Sequence, residues 1–194
     1  MEALRTKIEE ISAISDRSWT AFTALLSPKQ VPKGGIFCRE GDLAREAAFI
    51  KEGVMRAFFR DAEGAEYNKT FFCEGNLACS LASVLSGQPS YLTFEALSPV
   101  SLLVFNYQEF QGLFAQHRDL ESLLRKLLEQ KWVVEKEQRE IRLVTTKATE
   151  RYLHFQKEYP GLENRIPQYH IASHLGITPI QLSRIRKKLG QGGS

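Results

Sequence analysis

The sequence predicts an α+β chain: a rolled, jelly-roll-like antiparallel sheet, then a long helix, then a C-terminal helix-turn-helix. Three observations carry this prediction. Residues 31–105 fall into short β-type runs divided by evenly placed turn signals. Residues 119–143 repeat apolar side chains at steps of three and four. Residues 166–189 place Ala, Gly, Thr-Pro and Leu where two crossing helices need them.

Ahead of the sheet, Leu4, Ile8, Ile11 and Ile14, then Phe22, Leu25 and Leu26, predict two short helices, the second capped by Ser15 or Asp16. Pro28 and Pro32 end that pattern. The strand runs are 36–38, 47–51, 54–59, 67–72, 92–97 and 101–105. Glu40-Gly41-Asp42, Glu52-Gly53, residues 61–64, Glu74-Gly75-Asn76 and Ser98-Pro99 separate them. Runs this short and regular fit a sandwich or barrel, whose closure removes exposed sheet edges.

The long helix carries Leu120, Leu123, Leu124, Leu127, Leu128, Val134 and Ile141. About 25 helical residues span about 37 Å, more than a small domain needs for its own core. We read it as a dimerisation helix whose interface is Leu120, Leu123, Leu124, Leu127 and Val134, with Lys131 and Gln138 weakening the seam toward its end. A helix lying across the sheet of its own chain is the alternative. A further helix over 149–159 stops at Pro160-Gly161, and residues 191–194 read as a frayed tail. The expected divisions are 1–117 for the N-terminal helices and β-roll sensor, 118–145 for the dimerisation helix and 146–194 for the helix-turn-helix domain.

Charge is uneven. Residues 1–145 hold 18 Lys/Arg against 20 Asp/Glu, whereas residues 146–194 hold 8 against 3. A basic C-terminal segment on a slightly acidic body suggests nucleic-acid binding by the smaller part. Apolar stretches fall far short of the roughly 20 residues needed to cross a bilayer, and residues 1–10 lack the apolar core of a secretion signal. Three cysteines, Cys38, Cys73 and Cys79, without CxxC spacing fit reduced thiols. A cytoplasmic protein is expected.

Within 166–189, Pro167 suits a helix start and Ile171, Ala172 and Leu175 form its inner face. Gly176 supplies the left-handed turn, Thr178 caps the next helix and Pro179 takes its first position. Leu182, Ile185 and Leu189 give that helix a buried face and leave Gln181, Arg184, Lys187 and Lys188 outward. Such a helix can read bases from the major groove, Arg pairing with guanine and Gln with adenine. The candidate DNA-binding residues are Thr178, Pro179, Gln181, Ser183, Arg184, Lys187 and Lys188.

Taken together, these segments resemble the CRP/FNR family of bacterial transcription regulators, with its cyclic-nucleotide-binding-domain fold, dimer helix and helix-turn-helix. The resemblance implies a sequence-specific DNA-binding homodimer that is not an enzyme, with double-stranded DNA, an unidentified small-molecule effector and RNA polymerase as partners. Arg184 matches the family's guanine-contacting arginine, whereas its other two base-contacting positions, usually Arg and Glu, stand at Pro179 and Ile180. A different DNA target is therefore expected. In cyclic-nucleotide-binding members a Gly-Glu pair and, about ten residues later, an Arg-Ser or Arg-Thr pair hold the ribose and phosphate. Cys79 and Ser80, then Ser90 and Tyr91, stand there in this chain. This degenerate cassette lacks the charge-assisted partner of the phosphate, so cyclic-nucleotide dependence is not expected.

Other chemistries find less support. An iron–sulfur cluster generally needs four cysteines, and this chain has three. His170 and His174 share a helix face as zinc ligands can, but lack a third ligand; we read them as surface polar residues near DNA phosphate. The alternatives are a small-molecule-binding regulatory protein and a cupin-like enzyme using the β-roll. None of His117, His154, His170 and His174 falls between Val31 and Phe105, where a cupin metal would need imidazoles. No cofactor or metal is expected.

Overall fold

A computed structural model describes residues 1–191. The chain forms two compact units: Met1–Ala57 with Phe71–Val134, and Phe58–Thr70 with the chain from Glu135 onward. Of the tail expected over 191–194, Gln191 closes the last helix and residues 192–194 lie outside the described residues.

The chain holds two four-stranded sheets, which lie in the first unit except for the parts of two strands that fall within residues 58–70. Strands β1 (Ser27–Val31), β8 (Val100–Asn106), β3 (Glu46–Glu52) and β6 (Leu77–Ala78) form one, in that order. The other runs β2 (Ile36–Cys38), β7 (Thr93–Ala96), β4 (Met55–Arg60) and β5 (Glu66–Phe72). Every expected run is a strand within one or two residues. β1 and β6 were not expected, because Pro28 and the brevity of Leu77–Ala78 hide them; an edge position tolerates the proline.

Strand alternation divides the core in two. Ala48, Ile50, Leu102 and Val104 meet Met55, Ala57, Phe94 and Ala96 between the sheets. Their neighbours Ala47, Phe49, Leu103 and Phe105 face the other way, against helices. Gly53 (φ 97°) turns β3 into β4; a Cβ there would lie 2.3 Å from the Pro99 oxygen.

The helices on that outer face are α1 (Glu2–Glu9), α2 (Asp16–Thr23), α3 (Leu81–Ser86), α4 (Tyr107–Gly112) and α5 (Arg118–Leu127). Ser15 caps α2, its hydroxyl accepting from Ser18 N–H. Asp119 ties the start of α5 to this cap, accepting from Ser15 N–H at 2.8 Å and from the Ser18 hydroxyl at 2.5 Å. Burial alone would raise the Asp119 carboxyl, but these hydrogen bonds hold it down at about 2.

The long helix differs from its expected form in two ways. It is not uniformly α-helical: Leu128–Val134 is π-helical, and α6 (Glu135–Thr145) follows. Its interface assignment also needs correction. Leu120 (0% exposed) and Leu123 (5%) are spent inside the protomer, packed with Leu4, Ile8, Phe22 and Phe110, and Leu124 packs against the same cluster. A three-four stripe shows that a helix face is covered, not by which chain. Val134 and Ile141, seven residues apart, remain exposed.

The second unit consists of the hairpin 58–70 and α6 through α9. In the hairpin, the Asp61 carboxylate accepts from the N–H groups of Glu63 and Ala65, and Phe59 stacks on Tyr67 at 5.3 Å. α7 (Ala148–Glu158), α8 (Gln168–Leu175) and α9 (Pro179–Gln191) share a core of Tyr152, Phe155, Leu162, Ile171, Leu175 and Leu182. Among the described residues no helix is long and apolar enough to cross a membrane.

Candidate nucleic-acid interface

Helices α8 and α9 form a tight helix-turn-helix. Gly176 adopts φ 65°, ending α8 with its N–H on the α8 carbonyls, and Ile177 N–H reaches the Ala172 oxygen at 3.0 Å. Thr178 and Gln181 close a reciprocal capping box: Gln181 N–H donates to the Thr178 hydroxyl at 3.2 Å, and Thr178 N–H donates to Gln181 Oε1 at 2.9 Å. Leu182, fully buried, anchors α9.

All seven candidate DNA-binding residues lie on α9 or its cap, and all are exposed: Thr178, Pro179, Gln181, Ser183, Arg184, Lys187 and Lys188. Arg184, Lys187 and Lys188 form no intramolecular ion pair among the described residues. Gln181 differs in that its oxygen is already engaged by Thr178. Bidentate pairing with adenine needs that oxygen, so Gln181 must leave its cap to read a base.

The two α8 histidines are not surface residues. His170 and His174 are buried against the hairpin 58–70. Asn68 Nδ2 donates to the His170 oxygen at 3.0 Å and lies 3.3 Å from His170 Nδ1. His174 Nδ1 lies 3.1 Å from the Asn68 main-chain oxygen. That oxygen can only accept, so Nδ1 carries the proton, and Arg139 Nη2 at 3.3 Å is a nearby charge that cannot also donate to it. Ser173 bridges the same edge, its hydroxyl donating to Glu66 O at 2.6 Å and accepting from Asn68 N–H at 3.0 Å. Burial, and next the Arg139 charge, push His174 down to about 3, so it is neutral at ordinary pH. The correction has a simple cause: four-residue spacing puts two imidazoles on one face but does not say what that face meets.

In the roll, only part of the expected cassette comes together. Ser80 and Ser90 are buried and hydrogen-bond each other, Oγ to Oγ, at 2.7 Å. Ser90 Oγ also accepts from Leu92 N–H at 3.2 Å and contacts the Leu92 oxygen at 2.8 Å. Tyr91 is 73% exposed, and Cys79 packs in the helix-facing cluster, on the opposite side from Ala78. Burial, then Cys38 nearby, pushes the Cys79 thiol up to about 12.

Residues 28–117 match the cyclic nucleotide-binding domain family. A cyclic nucleotide-gated potassium channel of Rhizobium etli is 30% identical over 101 residues, which are 52% of this chain. The chain spans about a quarter of that relative's length, 26%. The likeness to solved structures extends past this domain. CLP, a c-di-GMP-responsive global regulator of Xanthomonas campestris, is 16% identical with a TM-score of 0.70, over 92% of this chain and 93% of its own. FixK2 of Bradyrhizobium japonicum is 16% identical with a TM-score of 0.74, over 87% and 86%. A regulator of the CRP/FNR family from Eubacterium rectale, itself described as putative, is 18% identical with a TM-score of 0.61, over 93% and 85%. The chain thus shares its fold with these proteins over most of its length: a sheet domain that matches the cyclic nucleotide-binding type, followed by helices.

Several residues around this domain and the helix-turn-helix were not legible in the sequence. Asn68 carries no motif, yet its side chain and backbone meet two histidines of α8. Arg56, buried in β4, pairs with Glu95 at 2.5 Å. Arg151 donates to the main-chain oxygens of Leu175 and Thr146, holding the end of α8 to the start of the C-terminal helices. Tyr152 hydrogen-bonds Glu163; burial, and next that carboxylate, push its hydroxyl up to about 12. Only an i,i+4 or strand-alternation signal was available for these positions, and none fixes a long-range partner.

Proposed function

We propose that this chain is a sequence-specific DNA-binding transcription regulator that acts as a homodimer and does not depend on cyclic nucleotides. The exposed polar and basic face of α9 carries the reading: Ser183, Arg184, Lys187 and Lys188 project from a helix held by its cap and by Leu182. Arg184 reads a guanine, while Lys187 and Lys188 neutralise phosphate. In this reading residues 1–117 sense, 118–145 pair two protomers and 146–194 bind a near-palindromic site, with recognition helices about 34 Å apart. The protein works in the cytoplasm, answers to a small-molecule effector, engages RNA polymerase and performs no catalysis.

Selecting bound fragments from genomic DNA with the purified full chain tests this directly. Enrichment of one two-fold-related motif is the expected outcome; recovery without any shared motif rejects it.

A second reading, a cyclic nucleotide-responsive module, is favoured by the family match of residues 28–117. Against it, Ser80 and Ser90 already satisfy one another, and no arginine stands at the phosphate position. Calorimetric titration with cyclic AMP and cyclic GMP separates the readings: low-micromolar binding supports the second, and no measurable heat of binding the first.

A further inference from the structure

Helix α9 holds one large apolar side chain in water. Ile180 is 66% exposed, and among the described residues of α9 no other large hydrophobic is: Leu182 is fully buried, and Ile185 and Leu189 are partly covered. A lone exposed isoleucine is ordinary on a protein surface, so its setting decides what it means.

Ile180 is the second residue of α9 and lies inside the Thr178–Gln181 capping box, whose two hydrogen bonds fix the backbone on either side of it. Its branched β-carbon restricts χ1 within a helix. The side chain therefore points in a nearly fixed direction, and covering it costs less conformational entropy than covering a lysine or arginine.

Arg184 stands four residues further on, so the two share one helix face, about 6 Å apart along the axis. Base pairs stack about 3.4 Å apart. A groove floor that meets Arg184 thus meets Ile180 about two base pairs away. Isoleucine has neither donor nor acceptor. Against a guanine, adenine or cytosine edge it would cover polar groups without pairing them, which is unfavourable. The C5 methyl of thymine is the apolar group that a base presents in the major groove. Gln181, next in sequence, does not compete for that position, because its oxygen is engaged by Thr178.

We propose that Ile180 is a specificity-determining residue that packs on the C5 methyl of a thymine, within about two base pairs of the position read by Arg184. This assignment rests on the DNA-binding reading and adds to it a base and the atom that is recognised.

The test uses the full chain and a duplex bearing the motif enriched from genomic DNA. Each thymidine is exchanged in turn for deoxyuridine, which removes the methyl group alone. At one thymine per half-site the exchange should weaken binding about fourfold, and about fifteenfold when both half-sites are changed. Ile180→Ala should bind the thymidine duplex more weakly and no longer distinguish it from the deoxyuridine duplex. Ile180→Val, which keeps the branched carbon, should retain part of the distinction. Because the side chain is exposed, both variants should melt as the parent does. The proposal is overturned if no thymidine exchange weakens the parent, if Ile180→Ala loses as much as the parent on the exchange, or if the sensitive thymine lies away from any position whose preference Arg184→Ala relaxes. In each of these cases DNA binding itself stands. A selection that enriches no shared motif instead rejects the DNA-binding reading, and this assignment with it.

Discussion

Asn68 and His174 meet through one buried hydrogen bond, His174 Nδ1 to the Asn68 main-chain oxygen at 3.1 Å. It joins strand β5 of the hairpin 58–70 to the first helix of the helix-turn-helix. Together with the contacts of His170 and Ser173 it makes one polar strip in which donors and acceptors are matched.

Asn68→Ala should destabilise the second unit. It removes the amide that donates to the His170 oxygen, a hydrogen bond worth about 0.5–1.5 kcal/mol. Urea unfolding should show a lower midpoint; an unchanged midpoint would mean that the side chain contributes nothing net.

His174 predicts a pH dependence with a definite sign. Its folded value of about 3 lies below the ordinary value of 6.5, so between them the unfolded chain binds more protons. The stability associated with neutral His174 is present above pH 6.5 and is lost as pH falls toward 3, with a slope of up to about 1.4 kcal/mol per pH unit. His174→Gln should flatten that slope. An equally steep loss in the variant would assign the acid sensitivity elsewhere, Asp119 being the next group to titrate, near 2.

Leucines within the long helix should separate into two behaviours. Leu120→Ala should cost about 2–5 kcal/mol of protomer stability, because it hollows a fully buried site. Val134→Asp with Ile141→Asp should leave the protomer folded and, if two copies pair along this helix, give monomers in sedimentation. A double variant that still sediments as the parent does would place the contact on another surface.

Arg184→Ala should relax base preference at one symmetric pair of positions, at a cost of about 1–3 kcal/mol in discrimination. Lys188→Ala should weaken binding to all sequences alike and lower the salt slope by about one unit. Operator variants ranked identically by Arg184→Ala and the parent would remove Arg184 from base readout.

Legibility followed the range of the interactions. Gly176, Thr178-Pro179 and Leu182 act over a few residues, so the turn, cap and anchor of the helix-turn-helix could be read directly, as could the alternation of β3 and β8. The cassette was half legible: the residue types at 80 and 90 were informative, but their mutual hydrogen bond and the outward turn of Tyr91 needed coordinates.

By itself the sequence determined the α+β order of elements and the exposed basic face of α9, because each depends on residue identity and local periodicity. Only the tertiary structure decided what covers each face. Leu120 and Leu123 met the protomer's own core, and His170 and His174 met Asn68 from a hairpin about a hundred residues earlier. Periodicity specifies that a face is apolar or polar; the surface it finds depends on chain closure over long distances, where the partner is chosen by shape and by the pairing of every buried donor and acceptor.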